Sequence, residues 1–191
     1  MNPAELVGIA RLAAEASTLE AKSRVEYLGL EARSILNRCD SPRVPFQWTI
    51  NPYRGCEFGC HYCYARYTHE YMELDTAAFE KKIYAKQEAA ALLRRDLKRF
   101  GRRLESETIA IGTATDPYQP AERRFGVTRQ ILEVLAQAVG LRLSITTKSD
   151  LVTRDLDLLK TIAGRSRLHI NVTITTVHEI GRRRVGKECR L

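Results

Sequence analysis

The sequence predicts an α/β fold in which parallel strands alternate with helices, as an open sheet or part of a barrel. Four short β-prone runs lie near residues 46–50, 108–112, 141–147 and 168–175. The stretches between them carry apolar residues at helical spacing, so the order strand, helix, strand, helix repeats. Polar residues collect just past the runs, where the open face of such a fold places its chemistry.

The elements follow in order. Residues 4–22 are expected to form a helix, because Leu6, Ile9, Ala13 and Ala16 recur at helical spacing with charges between them. Residues 25–35 continue as a second helical or extended piece. Asp40-Ser-Pro-Arg-Val-Pro45 then breaks the pattern, since two prolines cannot continue a helix. Residues 1–45 are therefore expected to be an N-terminal helical appendage on the outside of the domain. Cys39 within it has no partner in sequence and reads as a small buried hydrophobe.

Phe46-Gln-Trp-Thr-Ile50 is the first core strand, ending at Asn51-Pro52. Residues 65–74 begin as a helix carrying His69, Glu70 and Tyr71. A long helix lies within residues 79–100, with Ile83, Ala90, Leu93, Leu97 and Phe100 on one face and Gly101 as its stop. Residues 81–86 read alternatively as a short strand. Thr108-Ile-Ala-Ile-Gly112 suits a strand buried on both faces. Residues 127–139 form a helix with Ile131, Leu132, Leu135 and Val139 inside. Residues 141–147 are the third strand, left by Lys148-Ser149. Residues 150–163 are a helix with Leu151, Leu158, Leu159 and Ile162 on its apolar face. Residues 168–175 alternate apolar and polar side chains as a fourth strand. The core thus spans residues 46–176, and residues 177–191 form a basic tail without apolar periodicity.

A chain of 191 residues holds one domain, or a domain with a short appendage. Its composition is that of a soluble globular protein, no apolar run approaches the ~20 residues of a membrane span, and the chain opens without a secretory signal. No membrane association and a cytoplasmic location are expected. The formal charge of +8 fits an anionic partner such as nucleic acid, or a solvated basic surface.

The most specific signal is the loop Asn51-Pro-Tyr-Arg-Gly-Cys-Glu-Phe-Gly-Cys-His-Tyr-Cys-Tyr64. It holds three of the five cysteines, Cys56, Cys60 and Cys63, in the spacing C-x3-C-x2-C. Gly55 and Gly59 let the backbone curl so that several sulfurs share one neighbourhood. Thiolates so placed are soft ligands for an iron–sulfur cluster or for zinc. A cubane cluster on three thiolates leaves one iron free for a small molecule. A three-cysteine zinc site would need His61 or His69 as fourth ligand, and structural zinc usually pairs two such knuckles, whereas one is present. A disulfide fits poorly with an odd number of cysteines and no export signal.

This loop resembles the signature of the radical S-adenosylmethionine (radical SAM) enzymes. Within them the chain is similar to the spore photoproduct lyase-like, or DNA-repair-photolyase-like, branch. The stretches that carry the likeness are Glu31-Ala-Arg-Ser-Ile-Leu36, Asn51-Pro-Tyr-Arg-Gly-Cys56, Thr68-His-Glu-Tyr71, Thr115-Asp-Pro-Tyr-Gln-Pro120 and Thr146-Thr-Lys-Ser149. The resemblance implies a partial barrel of six βα units, of which about four parallel strands are present here. It implies a [4Fe–4S] cluster held by Cys56, Cys60 and Cys63, with SAM chelating the open iron. Tyr62 would flank the adenine, Thr115 would make a polar contact to SAM, Lys148 would pair with the SAM carboxylate and Thr173 would point toward the ribose. Tyr64 would help relay the radical, with plain packing as its alternative role, as a solvated charge is for Lys148. Asp116 would orient its loop, since Asp before Pro favours a turn.

The implied activity is reductive cleavage of SAM to a 5′-deoxyadenosyl radical for lyase or repair chemistry on nucleic acid. The implied partners are a reductant such as flavodoxin or ferredoxin and a nucleic-acid substrate. A non-catalytic remnant or zinc-binding module is the alternative. The family continues for further strands, so a C-terminally truncated barrel is expected, with a tail of doubtful origin carrying Cys189 and an open apolar edge on the fourth strand.

Overall fold

The computed structural model of the chain describes residues 7–21 and 25–175. The elements in order are α1 (Gly8–Ala14), β1 (Thr18–Ala21), β2 (Glu26–Gly29), β3 (Leu36–Arg38), β4 (Trp48–Ile50) and β5 (Tyr53–Arg54). Two 3-10 segments, Tyr64–Met72 and Thr76–Glu80, lead into β6 (Lys82–Ala85), α2 (Ala89–Phe100) and α3 (Arg103–Ser106). Then come β7 (Thr108–Ile111), α4 (Glu122–Phe125), α5 (Val127–Leu135), β8 (Arg142–Thr147), α6 (Leu156–Arg165) and β9 (Arg167–Val172).

Four strands run parallel in chain order, β4-β7-β8-β9, with β3 antiparallel on the β4 side. These are the four expected core strands, in a mixed α/β arrangement that makes part of a barrel. One face of the sheet carries Trp48, Ile50, Ile109, Ile111, Leu143 and Ile145, all buried in the main core. Leu93 of α2, Ile131 and Leu135 of α5, and Ile162 of α6 cover that face. The other face carries small or polar residues in register: Thr49, Ala110, Ser144 and His169. Period-two alternation thus separates an apolar wall from a polar lumen.

The N-terminal stretch holds a helix, as expected, but a shorter one than residues 4–22. Residues 25–35 resolve toward strand, with β2 parallel to β6 in a second sheet ordered β1-β2-β6-β5. Nor does all of this stretch lie outside, because Tyr27, Ile35 and Leu36 enter the main core. Buried Asp96 of α2 ties it down by accepting from Ser34 Oγ (2.8 Å), Ile35 N (2.9 Å) and Leu36 N (3.1 Å). Periodicity could not see this, because the pairing is long-range. The strand alternative for residues 81–86 is the one adopted, and helix α2 starts after it. Gly101 ends α2 in a left-handed φ of 48°. Residues 65–74 are 3-10 rather than α-helical over Tyr64–Met72.

The fourth strand ends at Val172, where Thr173 N still donates to Thr147 O at 2.8 Å. Among the described residues β9 pairs only with β8, and Ile170, Val172 and Ile174 are exposed. The basic tail, with Arg182–Arg184 and Cys189, lies outside the described residues. No helix among those residues is long and apolar enough to cross a membrane.

Candidate functional site

The cysteine loop leaves the C-terminal end of β4 through Asn51-Pro52 and the two-residue strand β5. Gly55 turns the chain at φ 77°, and a Cβ there would stand 2.4 Å from Lys82 O, so only glycine fits. Gly59 turns it again at φ 57° against Glu80. Cys56 N donates to Phe79 O (2.8 Å), Gly59 N to Cys56 O (3.2 Å) and Cys63 N to Cys60 O (3.1 Å). Arg66 clamps the loop from behind, donating to Gly59 O at 2.9 Å and pairing with Glu80 at 2.6 Å. Cys56 and Cys60 are buried with Phe58, Ala65 and Phe79, while Cys63 is half-buried beside Ala114.

Burial pushes the Cys56 thiol up to about 12, and the nearby Asp116 carboxylate adds to the effect. A neutral thiol is thus the resting form, and a bound cation is what would draw off its proton. Lys148, just past β8, supplies local positive charge. Its Nζ lies 2.9 Å from Cys60 Sγ and 3.3 Å from Tyr62 Oη, above the faces of Phe58 and Tyr62. Burial pulls the Lys148 pKa down, but the bonds to Cys60 and Tyr62 outweigh it and hold it above the usual lysine range.

Three side chains that sequence reading singled out weakly or not at all lock this arrangement. Gln119 is wholly buried; it donates to Gly55 O (3.0 Å) and accepts from Glu57 N (3.0 Å), spanning the cysteine loop. Asn51 accepts from Ala114 N (2.9 Å) and donates to Thr113 Oγ1 (3.1 Å), joining the ends of β4 and β7. Asp116 accepts from Thr147 Oγ1 (2.6 Å), Lys148 N (2.8 Å) and Tyr118 N (2.9 Å), which aims Lys148 at the cysteines. Its role in orienting the loop was legible from Asp-Pro. Those of Gln119 and Asn51 were not, because neither type signals a partner some sixty residues away (62 and 64 residues separate their bonded pairs).

The remaining expected residues are placed as follows. Tyr62 stands on the rim, 57% exposed, free to cover a ligand. Tyr64 is 68% exposed and donates its hydroxyl to Thr113 O. Burial raises its pKa, with Tyr67, Cys63 and Cys39 adding to the shift. Cys39 is thus near Tyr64 and half-buried, not a fully buried hydrophobe. Thr115 is buried and donates to Tyr53 O at 3.2 Å, so it braces the strand ends. Thr173 is exposed beyond β9. His61 is exposed, and His69 is buried with Nε2 at 3.3 Å from Lys82 O, its ring against Phe79. Among the described residues no three His, Cys, Asp or Glu side chains converge as one metal ion's ligands.

The comparisons with known proteins agree with this geometry. The radical SAM superfamily model matches residues 50–190, which takes in most of the tail in which sequence reading found no likeness. An uncharacterized protein of Mycobacterium tuberculosis is 41% identical over 144 residues, covering 74% of this chain and 42% of that protein. One of Methanocaldococcus jannaschii is 30% identical over 152 residues, covering 80% of this chain and 52% of that protein. The chain thus spans about half the length of these relatives. The solved structure of spore photoproduct lyase complexed with dinucleoside spore photoproduct superposes with a TM-score of 0.52 at 14% identity, over 95% of this chain and 60% of that one. That likeness shows a shared fold. With the family model covering most of the chain and the three cysteines gathered at the end of the first core strand, the chain belongs to the radical SAM superfamily.

Proposed function

We propose that this chain carries the catalytic centre of a radical SAM enzyme, with Cys56, Cys60 and Cys63 holding a [4Fe–4S] cluster. The observation that carries the reading is the cysteine loop itself: three sulfurs on a glycine-turned loop at the C-terminal end of β4, with the Lys148 ammonium 2.9 Å from one of them. The donor set fits the group. Soft thiolates suit iron, Phe58 and Phe79 keep water from the inner two, and Lys148 offsets negative charge. When bound, the reduced cluster supplies the electron that cleaves SAM to methionine and a 5′-deoxyadenosyl radical.

The chain's own residues bind and orient. Lys148 presents a compact cation to the SAM carboxylate while staying against Cys60. Tyr62 covers the adenine from the rim. Thr115 acts through Tyr53, holding the strand end. Thr173 lies at the outlet of β9 on the ribose side. Tyr64 sits at the mouth, next to Cys63 in sequence, where a radical relay would pass. We carry the substrate class, nucleic acid, across from the dinucleoside spore photoproduct in the lyase structure; the +8 charge supports it. A one-electron reductant of the flavodoxin or ferredoxin kind and a reducing, cytoplasmic setting complete the reading.

Anaerobic reconstitution tests it. We expect about four iron and four sulfide per chain and formation of 5′-deoxyadenosine from SAM. Both are lost when Cys56, Cys60 and Cys63 become alanine. One zinc per chain, without sulfide, would overturn the assignment.

A further inference from the structure

A cavity of about 1140 Å³ lies between α1, the β3–β4 edge and the Tyr64–Met72 segment. Its wall reaches the cysteine loop through Ala114, which packs against the cysteine cluster. Its charge is one-sided. Two of its arginines are already paired, Arg11 with Glu15 and Arg38 with Glu107. Arg33, Arg54 and Lys86 have no carboxylate partner among the described residues, and Glu31 is the remaining acid in the wall.

Lys86 is only 7% exposed, and its Nζ makes one bond, to Asn51 O at 2.8 Å. Arg54 makes one long contact, to Thr68 O at 3.4 Å. In the β5–β6 ladder Arg54 pairs with Tyr84, and Lys86 follows the end of β6, so both cations come to the same cavity. Burial and the Arg54 charge together draw the Lys86 pKa down to about 7. A buried lysine beside a half-buried arginine without a counter-ion is costly unless an anion joins them. The Tyr64–Met72 segment, which Arg54 touches at Thr68, brings Tyr67 and Tyr71 to the same cavity, both exposed, edge to face at 5.7 Å.

We propose that this cavity is a nucleotide site in which Arg54 and Lys86 hold a phosphate and Tyr67 and Tyr71 stack on the attached base. The ligand is a stretch of single-stranded nucleic acid entering beside the cysteine loop; this deepens, and rests on, the nucleic-acid reading above. Phosphate contacts position a strand and aromatic faces take its bases without sequence preference.

The test uses the full chain, reconstituted anaerobically, and a fluorescein-labelled oligothymidylate read by anisotropy across a salt series. Arg54→Gln and Lys86→Gln should each weaken binding roughly tenfold and lower the log–log salt slope by about one. Tyr67→Leu and Tyr71→Leu should weaken it by a similar factor of roughly ten with the slope unchanged. Because Lys86 also anchors Asn51, Arg33→Gln, at an exposed position, serves as the second electrostatic variant and should lower the slope. Wild-type affinity and slope in Arg54→Gln, Tyr67→Leu and Arg33→Gln would overturn the site. So would displacement by inorganic phosphate as effective as that by thymidine 5′-monophosphate, which would mean a bare anion site. The variant with alanine at Cys56, Cys60 and Cys63 should lose iron yet still bind the oligonucleotide. Loss of binding there would place the ligand on the cluster instead and refute the cavity. Retained binding without any 5′-deoxyadenosine from the reconstituted wild type would sink the radical SAM reading and leave this one standing.

Discussion

The ammonium of Lys148 lies 2.9 Å from the sulfur of Cys60, although 88 residues separate them in the chain. Strand β8 brings the lysine to the cysteine loop of β4, and Asp116, past β7, holds the Lys148 backbone N–H at 2.8 Å. Three parallel strands thus converge on one charge contact. Lys148→Met keeps the stem and removes the charge. We expect 5′-deoxyadenosine formation to fall roughly 10- to 100-fold, as for partners that orient metal ligands. Initial rates over a SAM titration check this, and a rise in KM larger than the fall in kcat would mark a binding role.

Gln119 holds the loop by two bonds at once. Gln119→Leu leaves Gly55 O and Glu57 N without their buried partner. The cost should be about 2 kcal/mol, read as a lower urea midpoint with an unchanged m-value. Because Cys56 sits between the two anchored residues, iron per reconstituted chain should fall with it. Full iron loading in a destabilised variant would restrict Gln119 to stability alone.

His69 makes stability depend on pH. The ring is wholly buried, and burial lowers its pKa to about 4. The unfolded chain takes up a proton near pH 6.5, where the folded one does not. Stability is therefore complete above pH 6.5 and falls as the pH drops toward 4, by up to about 3 kcal/mol. Denaturation midpoints measured across that window should slope accordingly, and His69→Gln should flatten the slope.

A buried ionic network ties α4 and α5 to the 3-10 segment Asp150–Asp155, which leads into α6. Arg154 pairs with Glu122 (2.7 Å) and Asp155 (2.8 Å), and Arg129 pairs with Asp155 (2.7 Å). Both carboxylates are wholly buried, and Glu122 also accepts from Tyr53 Oη at 2.5 Å. Arg154→Met takes the arginine from Glu122 and leaves Asp155 with Arg129 alone, and should cost about 3 to 5 kcal/mol. Calorimetry checks this. A shift in Tm of a degree or less would show that water replaces the arginine.

Local pattern determined much of this protein. Strand-length apolar runs marked β4, β7, β8 and β9, because side-chain alternation is a property of neighbours in the chain. Helical spacing marked α5 and α6 for the same reason. C-x3-C-x2-C with its flanking glycines marked the candidate centre, because the ligands come from a single loop. The tertiary structure decided what crosses the chain. It drew Ile35 and Leu36 into the core through Asp96, turned residues 82–85 into a strand beside β2, and set Lys148 against Cys60. It also brought Arg54, Lys86, Tyr67 and Tyr71 to the lining of one cavity. Such contacts depend on strand register and loop closure between distant segments, and no residue's local spacing encodes them.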